Sequence, residues 1–150
     1  MVKIKNMNVQ IHRIDKTLPL PQYETKGSFG FDFLARADTT IEPGQIGLVP
    51  SNVIIKCPDE LALLILPRSS TYRKTGLVFP HSVGLVDQDY CGPEDEIMIQ
   101  LVNPRDHDIT VKKGDKIAQG LFVRTPKIEF TEVEKDFLGR DSRGGFGSTD

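Results

Sequence analysis

A chain of 150 residues is long enough for one domain with a real core and too short to divide comfortably into two, and 27% charged residues with a net charge of −2 make an ordinary surface without the basic excess that tracks a long polyanion. Charges interrupt the opening Met1-Val2-Lys3-Ile4-Lys5 and no apolar stretch approaches bilayer length, so a signal peptide, a membrane anchor and a nucleic-acid partner are all unexpected. Cys57 and Cys91 are the only cysteines, too few for a disulfide framework or a Cys-x-x-Cys site, which fits a reducing, cytoplasmic setting.

Taken in chain order, β-branched and apolar runs between turn signals predict strands over Val9–Ile14, Phe31–Ala35, Ile46–Ile55 and Leu61–Leu66. A short helix or turn is expected across Ser69–Thr75, followed by strands over Ile97–Val102, Ile109–Val111, Ile117–Val123 and Ile128–Val133. Proline and glycine punctuate the boundaries, as in Glu42-Pro43-Gly44-Gln45, Cys57-Pro58-Asp59, Asn103-Pro104-Arg105 and Lys113-Gly114-Asp115. So many short strands predict an all-β fold, a jelly-roll β-sandwich or barrel with one short helix over residues 1–136. From Phe137 the apolar periodicity stops, and residues 137–150 read as a mobile, Gly-rich C-terminal arm.

Several stretches carry polar groups that a packed sandwich does not need. Phe31-Asp32-Phe33 sets one acid between aromatics, a solvent-facing strand residue or a site carboxylate. At Pro67-Arg68-Ser69-Ser70, Pro67 ends a strand and a guanidinium and two hydroxyls open the next turn, either as an anion grip or as a serine cap beside a surface arginine. The run from His81 to Tyr90 delivers Asp87, Asp89 and a tyrosine before a Gly-Pro break. An aspartate ending a buried strand beside an aromatic suits a desolvated base or a metal-associated carboxylate; a hairpin with acidic tips is the alternative. Gln119 falls inside an apolar strand, where its amide needs a partner such as an ordered water. Finally, Arg143-Gly144-Gly145-Phe146-Gly147-Ser148-Thr149 joins a cation, a ring and two hydroxyls on a Gly-rich backbone. Such a tail is equipped to grip a nucleotide, although a frayed end has the same composition. The chain has no Gly-x-x-x-x-Gly-Lys-Ser/Thr loop, Gly-x-Ser-x-Gly elbow or His-Glu-x-x-His pair, which argues against a P-loop kinase, a serine hydrolase or a zinc peptidase.

In order, Gly30-Phe31-Asp32-Phe33-Leu34-Ala35, Pro67-Arg68-Ser69-Ser70, Gly84-Leu85-Val86-Asp87-Gln88-Asp89-Tyr90, Gly114-Asp115-Lys116-Ile117-Ala118-Gln119 and the Gly-rich tail resemble the motifs of the trimeric deoxyuridine triphosphatase (dUTPase) family. The resemblance implies a jelly-roll homotrimer that hydrolyses dUTP to dUMP and pyrophosphate with magnesium, at three sites each assembled from all three chains. By motif, Asp87 resembles the base that activates the attacking water, and Gln119 resembles the amide that positions it. Arg68, Ser69, Ser70, Arg143, Ser148 and Thr149, with the backbone of Gly145 and Gly147, are expected to hold the phosphates. Magnesium is expected mainly on the phosphates themselves, with Asp32 helping indirectly. Residues His81, Ser82, Val83, Gly84 and Val86 are expected to wall the uracil, Tyr90 to exclude a ribose 2′-hydroxyl, and Phe146 to cover the base. His81, Ser82 and Cys91 depart from the usual residues, and the 92–96 turn is longer than usual. The competing readings are a dCTP deaminase-like or bifunctional dCTP/dUTP enzyme of the same fold, and a non-catalytic nucleotide-binding module.

Overall fold

The computed structural model describes residues 7–135, and the tail beginning at Phe137, with Arg143, Gly145, Phe146, Gly147, Ser148 and Thr149, lies outside the described residues. Before the helix run β1 (Gln10–Arg13), β2 (Phe31–Leu34), β3 (Thr39–Ile41), β4 (Ile46–Pro50), β5 (Val53–Lys56) and β6 (Leu61–Leu66). Helix α1 (Thr71–Thr75) is followed by β7 (Gly84–Val86), β8 (Met98–Val102), β9 (Ile109–Val111) and β10 (Lys116–Arg124). All pairings are antiparallel: β1 with β5, β3 with β9, β4 with β8, and a four-stranded sheet ordered β2-β10-β6-β7. The sheets do not close into a barrel, so the jelly roll takes its sandwich form.

The alternation legible in the sequence sets the faces. Along β6, Leu61, Leu63 and Ile65 point inward, while Ala62, Leu64 and Leu66 face outward. Inward side chains from all the sheets, including Phe33, Val49, Ile55, Leu63, Leu77, Ile99 and Leu101, form one core. Buried Asn103 ties that core to its turns, donating from its amide to the carbonyls of Ile41 and His107 at 2.8 Å each and accepting from Arg105 N–H at 2.9 Å.

The expected strand Ile46–Ile55 breaks in two, because Ser51-Asn52 turns the chain and Asn52 stands at φ 72°. That conformation is one asparagine tolerates better than most residues. Strand β3 was not foreseen; its polar Thr39-Thr40 lacks the apolar signature. Over Ile128–Val133 no strand forms among the described residues, and Ile128, Phe130 and Val133 are exposed, lacking any partner strand. The helix is shorter than expected, and Ser70 at its N-terminus makes no capping bond through its side chain.

Position 120 shows how tightly the central sheet is built. A Cβ on Gly120 would clash with the Phe31 ring, which stacks on Phe122. Because Phe31 and Gly120 flank Asp32 and Gln119 in register, this contact also fixes the site described next. Gly120→Ala is expected to cost about 1–3 kcal/mol of stability by overpacking, read from the midpoint of urea unfolding.

Candidate active site

The turn before β7 holds one of the two non-glycine residues at positive φ among the described residues. Ser82 sits at φ 61°, and Val83 N–H donates to His81 O at 2.6 Å, closing a three-residue turn. The turn aims the chain into β7, an edge strand bonded to β6 alone. One side of its backbone therefore keeps N–H and C=O groups without strand partners. Below that edge lies a cavity of about 430 Å³ whose lining includes His81, Gly84, Val86, Asp87 and Tyr90. His81, Gly84 and Val86 of the sequence-predicted wall thus meet Asp87 and Tyr90 in one hollow, whereas Ser82 and Val83 do not line it. A Cβ on Gly84 would approach Ile65 Cβ at 3.2 Å and the His81 ring at 3.3 Å, so any larger residue would crowd this wall.

Tyr90 is fixed by its phenol, which donates to Glu96 O at 3.1 Å. Glu96 in turn accepts both Arg36 Nε and Nη2, at 2.9 and 2.8 Å, and Asn52 N–H at 2.8 Å. Asp87, expected to be desolvated, is exposed in the single protomer: β7 ends at Val86, and residues 87–90 form a turn closed by Tyr90 N–H on Asp87 O. Leu48, Phe79, Met98 and Gln100 also belong to the lining. Leu48, Met98 and Gln100 come from distant parts of the chain, and no local motif marked any of the four.

A second polar cluster lies across the same sheet. Arg68 Nε donates to Asp32 Oδ1 at 2.6 Å, and Lys116 Nζ reaches Asp32 Oδ2 at 2.9 Å. Asp32 is therefore an ion-paired strand carboxylate and not a solvent-facing one, and Arg68 is half-buried and paired, not a free surface cation. The turn that carries Arg68 is closed by reciprocal bonds, Arg68 N–H to Thr71 Oγ1 at 2.9 Å and Thr71 N–H to Arg68 O at 3.0 Å. Ser70 is half-buried beside it and Ser69 is exposed. Half-buried Gln119 finds a protein partner, donating its amide to Pro67 O at 3.0 Å. Lys116 also bonds Glu24, and those two carboxylates, Glu24 first, raise its pKa above the usual lysine range.

The two clusters are not one site within a protomer. Val86 aligns through Leu63 with Phe122, three positions along β10 from Gln119. With about 3.3 Å per residue and about 4.8 Å between strands, the backbones of Val86 and Gln119 stand about 14 Å apart. Asp87 and Gln119 cannot hold one water between them. A groove of about 600 Å³ beside Asp87 runs over Ala62, Leu64, Leu85 and Val123 on the outer face.

A family model described as dUTPase matches residues 16–150. The chain belongs to the dUTPase family. It is 39% identical over 150 residues to a deoxyuridine 5′-triphosphate nucleotidohydrolase of Photorhabdus laumondii, covering 98% of this chain and 97% of the relative. With the enzyme of that name from Shewanella oneidensis it shares 43% identity over 138 residues, covering 90% and 89% of the two chains. Among solved structures, a dUTPase from Streptococcus mutans superposes with a TM-score of 0.73 at 31% identity, covering 80% of this chain and 98% of that one. A mutant dUTPase of Staphylococcus aureus phage phi11, described with a coordinated structural Mg(II) ion, gives a TM-score of 0.76 over 87% of this chain and 100% of that one, and at 21% identity supports the jelly-roll fold alone.

The ion pairs differ in what their loss should cost. Asp32 is 14% exposed and faces two cations, whereas Asp38 and its partner Lys112 are 56% and 65% exposed. Asp32→Ala is expected to lose about 2–3 kcal/mol and Asp38→Ala clearly less, compared by denaturant unfolding at pH 7.

Proposed function

We propose that the protein hydrolyses dUTP to dUMP and pyrophosphate, at sites built between the subunits of a homotrimer. The observation that carries this reading is the division of the family's motifs: Asp87, Tyr90 and the β7 edge share one cavity, while Arg68, Asp32 and Gln119 stand too far away to join them within one chain. Sites completed by a neighbouring protomer bring the halves together. The outer face of the central sheet supports such an assembly, since Leu64, Leu66 and Leu121 are only partly buried on it and Leu85 beside them is 64% exposed.

In this reading uracil lies against the free edge of β7, where backbone acceptor, donor and acceptor groups can match its own edge. His81, Ser82, Val83, Gly84 and Val86 form the wall, and Tyr90, fixed by Glu96, packs on the deoxyribose where a 2′-hydroxyl would need room. Asp87 takes a proton from a water that Gln119 of a neighbouring protomer positions. The oxygen bonds to the α-phosphorus as the bond to the bridging oxygen breaks and pyrophosphate departs. Approach of that neighbour also supplies the desolvation that Asp87 lacks alone. Arg68, Ser69 and Ser70 meet the growing charge on the leaving group. The arm, residues 137–150, is read as a lid appended to the 1–136 domain: Arg143, Ser148, Thr149 and the backbone of Gly145 and Gly147 would hold phosphates, and Phe146 would cover the base.

Magnesium fits this site as a companion of the substrate. No group of three or more carboxylate, imidazole or thiol side chains is placed to cage a metal among the described residues, and both Asp32 oxygens already face cations. Magnesium keeps its waters and binds phosphates readily, so the triphosphate supplies its main ligands and Asp32 acts at second hand. When bound it would neutralise charge on the phosphate chain. A cytoplasmic setting belongs to the same reading; among the described residues no helix is long and apolar enough to cross a membrane.

Pyrophosphate release measured with dUTP, UTP, dTTP and dCTP, with and without magnesium, tests the assignment. Strong preference for dUTP with magnesium is expected, and equal pyrophosphate release from dTTP or dCTP overturns it. Asp87→Asn should lower turnover by about 100-fold or more with dUTP binding kept; wild-type turnover would remove Asp87 from the base role.

A further inference from the structure

Lys116 has no part in the reading above, yet the backbone goes out of its way to present it. Along an unbroken strand Lys116 and Gln119, three residues apart, would project to opposite faces. In β10, however, Lys116 stands opposite Leu34, Ala118 opposite Phe33 and Gln119 opposite Asp32, so one residue is extra and the strand bulges between 116 and 118. Ile117 and Ala118 are consequently buried side by side, and Lys116 emerges on the face that carries Asp32 and Gln119.

What Lys116 does there follows from guanidinium geometry. An arginine beside a carboxylate favours a two-pronged fork that occupies both carboxylate oxygens. Asp32 is denied that fork: Oδ2 faces Lys116 Nζ at 2.9 Å, and Arg68 engages Oδ1 through Nε alone at 2.6 Å. Nη1 of Arg68 turns toward Ser70 Oγ at 3.5 Å, and Nη2 has no partner among the described residues. Glu24, on the segment before β2, anchors the ammonium from its other side and keeps it over Asp32.

We infer that Lys116 is a positioning residue: by occupying Oδ2 it stops Asp32 from chelating Arg68, and so keeps the terminal nitrogens of Arg68 turned out for the triphosphate. The inference rests on Arg68 being a phosphate ligand. Lys116 acts through Asp32 and does not touch the substrate.

The test is steady-state kinetics of the full-length chain with dUTP, with pyrophosphate as the competing product. Lys116→Met should raise both KM and the pyrophosphate inhibition constant about tenfold while kcat changes far less, and Lys116→Arg should restore both to within about threefold. The discriminating variant is the double mutant Asp32→Asn with Lys116→Met. If Lys116 works through Asp32, the double mutant is no worse than Asp32→Asn alone; independent, multiplying effects would mean direct contact with phosphate and overturn the inference. Unchanged KM and pyrophosphate inhibition in Lys116→Met overturn it too. Should Lys116→Met not fold, as judged by thermal unfolding, Lys116→Gln takes its place with the same expectations. A wild-type chain that fails to hydrolyse dUTP defeats the reading of the site itself, whereas an active wild type with an indifferent Lys116 defeats this inference alone.

Discussion

The register of β10 is the constraint on which the rest depends. It is bonded to β2 on one edge and β6 on the other, so an error of one residue would turn Gln119 into the core and Gly120 out of it. Gly120 against the Phe31 ring prevents that slip by sterics, because no other residue fits where the ring lies. The bulge between 116 and 118 then changes the parity once, on the β2 side, without disturbing the β6 side. One packing contact and one irregularity thereby set which side chains reach Asp32. The charges come second: Arg68, Lys116 and Glu24 meet there because the backbone has already chosen their face.

The central sheet is unusual in having apolar residues on both faces. A two-layer sandwich needs one buried face per sheet, and its outer face ordinarily reads polar. Here the outer face carries leucines through its middle and polar groups at its two ends, Asp32 with Gln119 at one and Asp87 at the other. Apolar surface between two half-sites is the arrangement expected when the surface is an interface and the halves belong to different protomers. The same burial that would hold the subunits together would desolvate Asp87, which a single chain leaves in water.

Much of this was legible in the sequence, and the failures have physical causes. Alternation in Leu61–Leu66 and the Pro-Gly turn signals located most strands correctly, because side-chain period and turn dihedrals are local properties. Asn52 was missed as a break because its left-handed conformation is fixed by distant partners, its N–H on Glu96 and its side chain on the Asp15 backbone. The segment Ile128–Val133 has strand composition and no strand to pair with among the described residues, a reminder that a ladder needs two sides. At the site, Asp32, Arg68, Asp87, Tyr90 and Gln119 were marked by their motifs, whereas Met98 and Gln100 reached the cavity only through tertiary pairing. The bulge did leave a trace: Ile117-Ala118 is an apolar pair that breaks alternation just before Gln119, and read as a change of parity it would have turned Lys116 toward Asp32.

Strain and charge are divided between the two half-sites in a way that suits their tasks. The β7 half holds Ser82 at φ 61° and presents backbone groups, which suits recognition of a flat, neutral base edge by fixed geometry. The Arg68 half has closely paired charges whose cations outnumber what Asp32 can neutralise alone, with Glu24 completing the balance from outside. On the proposed reading, a triphosphate arriving there would meet a cation already oriented and only partly satisfied. It need not break the Asp32 pair to bind, since Nε can stay with Asp32 while the terminal nitrogens turn to phosphate. Little reorganisation then remains for the chemical step, and that is the condition under which fixed charges stabilise a transition state most.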